Sequence, residues 1–192
     1  MNVYDFDGTI YDGDSGEDLI KYAMKKHPFL VMKCLRKAKS LNRACEKGMV
    51  SFEQVKEELF SFIYKINNYP KFLNDFVDSH MYKIKALYKS RQTDNDVIVT
   101  ASLDIWINLF ANRMGVKNVL ATRFDVSGKI IGINCKGYEK VRRLSESFPN
   151  VPVVNAYSDE KSDEYLLKMA QNGFVVEGNR VIPYVEGYNF KK

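Results

Sequence analysis

The spacing of hydrophobic and polar positions divides the chain into three regions. Residues 2–6 predict a short strand. Residues 15–90 repeat apolar side chains every three or four positions, which is typical of helices, and Ser51 with Gln54 forms a capping box within this region. From residue 96 onward, short β-branched runs alternate with helical stretches. Such alternation is typical of a parallel sheet with helices packed on its faces.

The third region supplies most of the predicted sheet. Its predicted strands lie at residues 96–101, 118–121, 152–157 and 173–176. Its predicted helices lie at residues 104–114, 138–148 and 163–172. Residues 124–133 break the alternation, because a polar turn between two apolar stretches predicts a hairpin.

The predicted fold class is therefore α/β, with a Rossmann-like parallel sheet as its core. Residues 1–14 and 91–192 form this core, and residues 15–90 are inserted after the first strand. Because the insertion is helical throughout and follows a strand end, we expect it to act as a cap over the site.

Composition limits the classes of protein that remain. A chain of 192 residues with 45% hydrophobic residues is long and apolar enough to bury a core, which excludes a generally disordered protein. No apolar run approaches the roughly 20 residues that a membrane-spanning helix needs. The predicted strand begins almost at Met1 and leaves no room for a secretion signal. The net charge of +5 is compatible with small anionic substrates as well as with nucleic acid.

Three cysteines lie far apart in the sequence, at Cys34, Cys45 and Cys135. Their number is odd, and they form neither a CxxC pair nor a metal-ligand spacing with histidine. We therefore expect free thiols and a cytoplasmic protein.

Acidic residues follow two of the predicted strands. In an open α/β sheet, ligands bind beyond the carboxyl ends of the strands. The first strand ends in Asp5-Phe6-Asp7-Gly8-Thr9, and side chains two positions apart on an extended segment point the same way. Asp159 and Asp163 follow the strand at residues 152–157 and can face the same edge. Taken alone, Asp-Gly also fits an ordinary turn with acidic caps.

A hydroxyl and a lysine are expected at the same edge. The apolar run 97–99 is followed by Thr100-Ala101-Ser102, where a hydroxyl and the backbone amides can bind an anion or cap a helix. Thr100 is the favoured hydroxyl. Lys136 precedes a predicted helix and can bring an ammonium to this edge. Four aspartates in one crevice repel one another, and Mg²⁺ is the cation expected to relieve this where phosphate is present.

The order of these groups resembles the haloacid dehalogenase superfamily of aspartate-dependent phosphohydrolases. Residues 5–9 resemble its DxDGT motif I, and residues 97–100 its motif II, an apolar run that ends in Ser or Thr. Lys136 resembles motif III, and Asp159 with Asp163 resembles the acidic motif IV. A helical insertion between motifs I and II is similar to the C1 cap of the phosphoserine-phosphatase-like branch.

The resemblance implies a role for each matched residue. Asp5 would attack phosphorus and form an aspartyl-phosphate, and Asp7 would act as general acid and then as general base. Thr100 and Lys136 complete the implied catalytic set. The implied phosphate-binding set is Asp5, Gly8, Thr100, Ala101, Ser102 and Lys136. The implied Mg²⁺ ligands are Asp5, the carbonyl of Asp7, Asp159 and, as ligand or support, Asp163.

The identity of the substrate is less determined than the reaction. Asp14 and Phe52 occupy positions that resemble substrate-binding residues of phosphoserine phosphatases. The arginine expected about two helical turns after that phenylalanine is Leu59 here. We therefore expect a phosphatase for a small phosphomonoester. Four alternatives remain: phosphoserine phosphatase proper, a lipid-phosphate or sugar-phosphate phosphatase, a phosphotransferase, and a non-catalytic ligand-binding module.

Residues 21–43 carry eight Lys or Arg and no Asp or Glu, interleaved with apolar residues. This pattern fits a helix with a solvated basic face, and also a surface that contacts anionic lipid head groups. We expect no nucleic-acid partner.

Overall fold

One six-stranded sheet organises the computed structural model, which describes residues 1–190. Its strands are β1 (Asn2–Tyr4), β2 (Asp96–Leu103), β3 (Asn118–Thr122), β4 (Asn155–Ser158), β5 (Asn172–Glu177) and β6 (Arg180–Pro183). They lie in the order β3-β2-β1-β4-β5-β6. All neighbours are parallel except the antiparallel pair β5 and β6. The α/β class is confirmed, and β1 lies at the switch point where ligands bind in such sheets.

The observed strands differ from the predicted ones mainly at their ends. β4 begins at Asn155 rather than at residue 152, where a proline has no amide to donate to the ladder. β2 continues two residues beyond its predicted end, to Leu103. β6 was not predicted, because four residues with one apolar pair carry little of the pattern that marks a strand.

Five helices lie between β1 and β2. They are α1 (Ser15–Lys26), α2 (Pro28–Cys45), α3 (Phe52–Phe60), α4 (Tyr69–His80) and α5 (Ala86–Lys89). The predicted capping box is present, since Ser51 accepts from the Gln54 amide and the Gln54 side chain accepts from the Ser51 amide. Residues 15–90, called the helical insertion below, contain no strand apart from a single bridge between Ile84 and Tyr11.

Three further helices cover the sheet: α6 (Asp104–Met114), α7 (Tyr138–Ser147) and α8 (Glu164–Met169). Alternate residues of the strands enter two separate buried clusters. Tyr4 and Ile98 belong to the larger cluster with α6 and the helical insertion. Val3 and Val97 belong to the smaller cluster with α7 and α8. The sheet is therefore covered on both faces, and its carboxyl edge is left for the site.

Two further sequence expectations concern thiols and membranes. Cys34, Cys45 and Cys135 are free thiols, as predicted. None of the helices within residues 1–190 is both long and apolar enough to cross a bilayer.

Candidate active site

A cavity of about 660 Å³ lies between the carboxyl edge of the sheet and the helical insertion. Most of the predicted site residues line it: Asp5, Asp7, Gly8, Asp14, Phe52, Thr100, Ala101, Ser102, Lys136 and Asp159. Asp163 lies behind this lining and is fully buried. The topology therefore gathers groups that are far apart in the sequence.

Asp5 follows β1 and is held by an ion pair in the protein interior. Its amide donates to the Tyr157 carbonyl on β4, 2.9 Å away, which extends the sheet pairing to this residue. Lys140 Nζ donates to Asp5 Oδ1 at 2.8 Å and to Asp163 Oδ2 at 2.6 Å. Burial alone would lower the pKa of Lys140, but the charges of the two carboxylates raise it. The ammonium therefore stays charged between them.

Lys140, and not Lys136, supplies the ammonium at Asp5, which corrects the sequence interpretation. Lys136 precedes α7, and its Nζ donates to Glu160 Oε1 at 2.6 Å on the half-exposed rim of the cavity. Lys140 lies in the first turn of α7 and shares the buried face of this helix with Leu144. The sequence contained an indication of this position, because Lys140 precedes Leu144 by four residues and side chains at this spacing share one face of a helix.

Asp7 is fixed by two hydrogen bonds, one to each of its carboxylate oxygens. The Ser15 amide at the start of α1 donates to Asp7 Oδ1 at 2.6 Å, and Ser102 Oγ donates to Asp7 Oδ2 at 2.5 Å. Burial raises the pKa of Asp7 to about 6, and the charge of Asp14 adds to this effect. A carboxyl group with this pKa can donate a proton near neutral pH.

The turn after Asp7 packs directly against Asp159. Gly8 has a φ of +70°, and a Cβ at this position would lie 1.9 Å from Asp159 Oδ2. Thr9 Oγ1 donates to Asp159 Oδ1 at 3.0 Å. The Gly8 amide donates to the Gly13 carbonyl, so it is not free to bind phosphate as the sequence interpretation expected. Only glycine allows both the backbone conformation and the close approach of the carboxylate.

The predicted hydroxyl site lies inside β2 rather than at a helix start. Thr100 is buried, and its Oγ1 accepts from the Ser102 amide at 3.1 Å. The Ser102 hydroxyl is directed to Asp7, so the Thr100 hydroxyl is the one that can donate its proton to an anion in the cavity. The position of Leu103 as N-cap of α6 shows that neither hydroxyl caps this helix.

Lys56 is a site residue that the sequence interpretation missed. It lies on α3, and its Nζ donates to the Ala101 carbonyl and, at 2.9 Å, to Asn134 Oδ1. Burial lowers its pKa to about 8, although the charges of Asp7 and Asp14 oppose the shift. The sequence contained an indication of this role, because Lys56 follows Phe52 by four positions and so lies on the apolar face of an amphipathic helix.

The two residues proposed for substrate binding differ in how firmly they are held. Asp14 caps α1, and its Oδ1 accepts from the Glu17 amide at 2.8 Å. Phe52 opens α3 and is about half exposed on the cavity side. The structure thus brings both to the cavity.

The carboxylates at the sheet edge have a donor set that suits a hard cation. Burial raises the pKa of Asp5, repulsion from Asp163 and Asp159 adds to this, and Lys140 alone opposes it. Asp163 Oδ1 is buried and accepts no hydrogen bond from the described residues. No three His, Cys, Asp or Glu side chains within residues 1–190 form a metal site by themselves. Carboxylate oxygens are the ligands that Mg²⁺ prefers in proteins.

Comparisons with known proteins place this architecture among known folds. The sequence model of haloacid dehalogenase-like hydrolases matches residues 3–168. Protein CicA of Caulobacter vibrioides is 41% identical over 81 residues, which cover 38% of this chain and 36% of the length of that relative.

Two solved structures share the fold over most of the chain. A protein of unknown function from Bordetella pertussis Tohama I has a TM-score of 0.70 at 17% identity, covering 90% of this chain and 87% of that one. A phosphoserine phosphohydrolase-like protein from Francisella tularensis has a TM-score of 0.54 at 16% identity, covering 90% and 86%. At these identities the likeness establishes a common fold.

Proposed function

Because the chain belongs to the haloacid dehalogenase-like hydrolase family, we propose that it is a Mg²⁺-dependent phosphatase that hydrolyses a small phosphomonoester. Membership confirms the family and the hydrolase class that the motifs predict. The observation that carries the proposal is the pair Asp5 and Asp7 at the end of β1, one bonded to an ammonium and the other with a raised pKa.

Asp5 is the proposed nucleophile. Its Oδ1 accepts from Lys140, and the second carboxylate oxygen attacks phosphorus. The new bond joins that oxygen to phosphorus, the ester P–O bond breaks, and an aspartyl-phosphate forms. The fixed Lys140 ammonium orients the carboxylate and offsets charge that develops on the phosphoryl oxygens.

Asp7 is the proposed general acid and base. It donates its proton to the oxygen of the departing alcohol, for which a pKa of about 6 is suitable near neutral pH. The resulting carboxylate then accepts a proton from the water that hydrolyses the aspartyl-phosphate. The hydrogen bonds from Ser15 and Ser102 keep the carboxyl group in place for both steps.

Phosphate binding is assigned to the Thr100 hydroxyl, the Lys140 ammonium and the Ala101 amide. Asp5, Asp159 and the Asp7 carbonyl are proposed to hold Mg²⁺. Asp163 supports this set through Lys140, to which it is bonded at 2.6 Å. When bound, Mg²⁺ would reduce the repulsion between the carboxylate and the phosphate and stabilise charge in the transition state.

The helical insertion is proposed as the cap, over a core of residues 1–14 and 91–192. Its position on the far wall of the cavity supports this division. In this arrangement the core carries out the reaction and the cap contacts the alcohol part of the substrate.

Phosphate release tests the proposal directly. We would measure it with Mg²⁺ and with EDTA on phosphorylated amino acids, sugars, polyols, nucleotides and lipid head groups, with D5N as the matched variant. Activity that requires Mg²⁺ and is lost in D5N is expected. A folded protein that binds Mg²⁺ and hydrolyses none of these esters would contradict the phosphatase and favour a non-catalytic ligand-binding module.

The basic surface of the helical insertion supports a second proposal, contact with anionic lipid. Phe29 at the start of α2 is 90% exposed, and the exposed Lys33 and Arg36 follow it at positions i+4 and i+7 on the same face of the helix. Basic residues beside an exposed aromatic side chain are typical of peripheral membrane contacts. Co-sedimentation with phosphatidylglycerol vesicles should occur at low salt and decrease in K33E/R36E, whereas equal binding to neutral vesicles would contradict it. Free thiols support a reducing compartment, and we place this contact on the cytoplasmic side.

A further inference from the structure

The cap-side wall of the cavity is mainly apolar. It is formed by Ile20 of α1 and by one face of α3, and Trp106 of α6 completes it beside them. The lining residues from α3 are Phe52, Val55, Lys56, Leu59 and Phe60. Val55, Phe60 and Trp106 are buried in the fold and therefore fixed in position. A leaving group that enters this part of the cavity meets mostly carbon.

The charged groups near this wall do not favour an anionic leaving group. Asp14 and Glu17 contribute the carboxylates on this side of the cavity. Lys56 is its cation, and its ammonium reaches across to the Ala101 carbonyl and Asn134 Oδ1 on the sheet side. A substrate carboxylate here would face the carboxylates of Asp14 and Glu17, and the ammonium of Lys56 already donates to two acceptors on the sheet side.

The other two ammonium groups that line the cavity are also engaged on the sheet side. Lys140 is bonded to Asp5 and Asp163, and Lys136 is bonded to Glu160. Lys140 lies at the place assigned to phosphate, and Lys136 lies on the half-exposed rim. The positive charge of the cavity therefore lies toward the transferred group, and the alcohol part is left with an apolar surface.

The size of the cavity agrees with a substrate larger than phosphoserine. About 660 Å³ is in the range of pockets that bury small organic ligands and exceeds what a phosphoryl group needs. The cavity is also lined by Leu59, Phe60 and Trp106. It suits an alkyl or aryl group of several carbon atoms.

We propose that this site selects phosphomonoesters whose alcohol part is apolar and carries no carboxylate. The inference rests on the proposed phosphatase function and specifies the substrate class of the same site. Leu59 is the specificity-determining residue, because its apolar side chain lines the cavity between Val55 and Phe60 and offers no hydrogen-bond donor to a carboxylate.

The proposal has two parts, the exclusion of a carboxylate and the preference for an apolar alcohol, and one pair of esters tests each part. O-phosphoserine and O-phosphoethanolamine differ by one carboxylate, and ethyl and n-butyl phosphate differ by two methylenes with similar leaving-group reactivity. We expect kcat/KM to be about tenfold higher or more for phosphoethanolamine than for phosphoserine, and for butyl than for ethyl phosphate. A preference for phosphoserine, or equal rates within each pair, would overturn the proposal.

Substitution of Leu59 provides the matched test. L59R places a guanidinium on the cap wall and should raise the phosphoserine-to-phosphoethanolamine ratio of kcat/KM about tenfold, with a matching loss for butyl phosphate. L59M conserves the volume and should leave both ratios unchanged. Thermal unfolding of each variant checks that it is folded. If K56M, rather than L59R, changes the phosphoserine ratio, the carboxylate binds Lys56 and the proposal is wrong.

Binding to D5N makes the outcome independent of turnover. The Kd values of the four esters for D5N, measured calorimetrically with Mg²⁺ present, should follow the same order. If the esters bind in this order but are not hydrolysed by the unmodified protein, the phosphatase proposal fails and the selectivity stands. If hydrolysis occurs but phosphoserine binds best, the selectivity fails and the phosphatase stands.

Discussion

The two walls of the cavity are built in different ways. On the sheet side, Asp5 and Lys140 are buried and Asp7 is half-buried, and all three are joined to neighbours by hydrogen bonds of 2.5 to 2.8 Å. On the cap side, Leu59 and the half-exposed Phe52 contribute apolar surface with little directional bonding. Directional bonds fix atoms to within fractions of an ångström, whereas apolar contacts adapt to shape.

This difference indicates that the sheet side of the cavity carries out phosphoryl transfer and that the cap side selects the alcohol. Phosphoryl transfer requires fixed charges around one phosphorus atom, and electrostatic stabilisation works only when the groups are held in advance. Selection of the alcohol requires mainly complementary volume and the exclusion of unsuitable charge. Changes on the sheet wall should therefore reduce the rate for every ester, and changes on the cap wall should alter the ranking of esters.

The largest expected effect belongs to Asp5. D5N removes the nucleophile while keeping the shape of the side chain, so kcat should fall by about a thousandfold or more for all phosphomonoesters alike. The measurement is phosphate release at saturating ester and Mg²⁺. A variant that lost activity on some esters only would contradict the division between the two walls.

Substitution of Asp7 tests whether this residue protonates the leaving group. D7N cannot donate a proton, and general acid catalysis contributes roughly a hundredfold to ten-thousandfold, so kcat for butyl phosphate should fall in this range. The loss should be much smaller for p-nitrophenyl phosphate, whose leaving group needs no protonation. An equal loss for both esters would assign Asp7 a structural role instead.

The pH dependence of alcohol release by the unmodified protein also tests the role of Asp7 as general acid. Since burial raises the pKa of Asp7 to about 6, the protonated form required for alcohol release should decrease as the pH rises through this value. The rate of the first alcohol release, followed in a rapid-mixing experiment, should therefore decline above about pH 6 for butyl phosphate. It should change little for p-nitrophenyl phosphate over the same interval.

Substitution of Lys140 and of Lys136 tests which of the two lysines is the buried partner of Asp5. K140M leaves Asp5 and Asp163 without their shared cation in the interior, which should reduce the free energy of unfolding by about 3 to 5 kcal/mol. K136M removes an exposed ion pair with Glu160 and should cost about 1 kcal/mol or less. Urea unfolding at constant pH measures both. Similar values for the two variants would show that Lys140 is not the buried partner of Asp5.

The sequence predicted the site residues that lie at the ends of strands. It missed the site residues that lie on helices. Asp5, Asp7, Thr100 and Asp159 were predictable because parallel strands end at one edge and side chains alternate along them. Lys140 and Lys56 were missed because a helix projects side chains in every direction. Which lysine of a basic helix faces the sheet depends on where the helix starts and how it packs.

The fold shows the same distinction. Alternation of strands and helices predicted the parallel sheet, and Ser51 with Gln54 marked the start of α3 correctly. β6 escaped prediction, since a four-residue edge strand is stabilised by its pairing with β5 rather than by its own pattern. The distribution of charge across the cavity was also beyond the sequence, because it depends on which acceptor each ammonium reaches.

The smallest expected effect concerns Lys56, which links the two walls. Its pKa in the folded protein is about 8, against an ordinary value of 10.5, so the unfolded chain binds more protons between these two values. The free energy of unfolding should therefore increase with pH in this interval, by up to about 3 kcal/mol relative to K56M. The increase is absent below about pH 8, where Lys56 is protonated in both states.

Urea unfolding of the unmodified protein and of K56M at about pH 7, about pH 9 and about pH 10.5 gives this difference, because other titrations cancel between the two proteins. K136M, which removes an ion pair at the exposed rim, is the control. An increase confined to the K56M comparison means that Lys56 is desolvated against the Ala101 carbonyl and that the cap rests on the sheet without substrate. A flat difference for K56M would mean that water reaches Lys56, and the cap wall would then take its position only when an ester is bound.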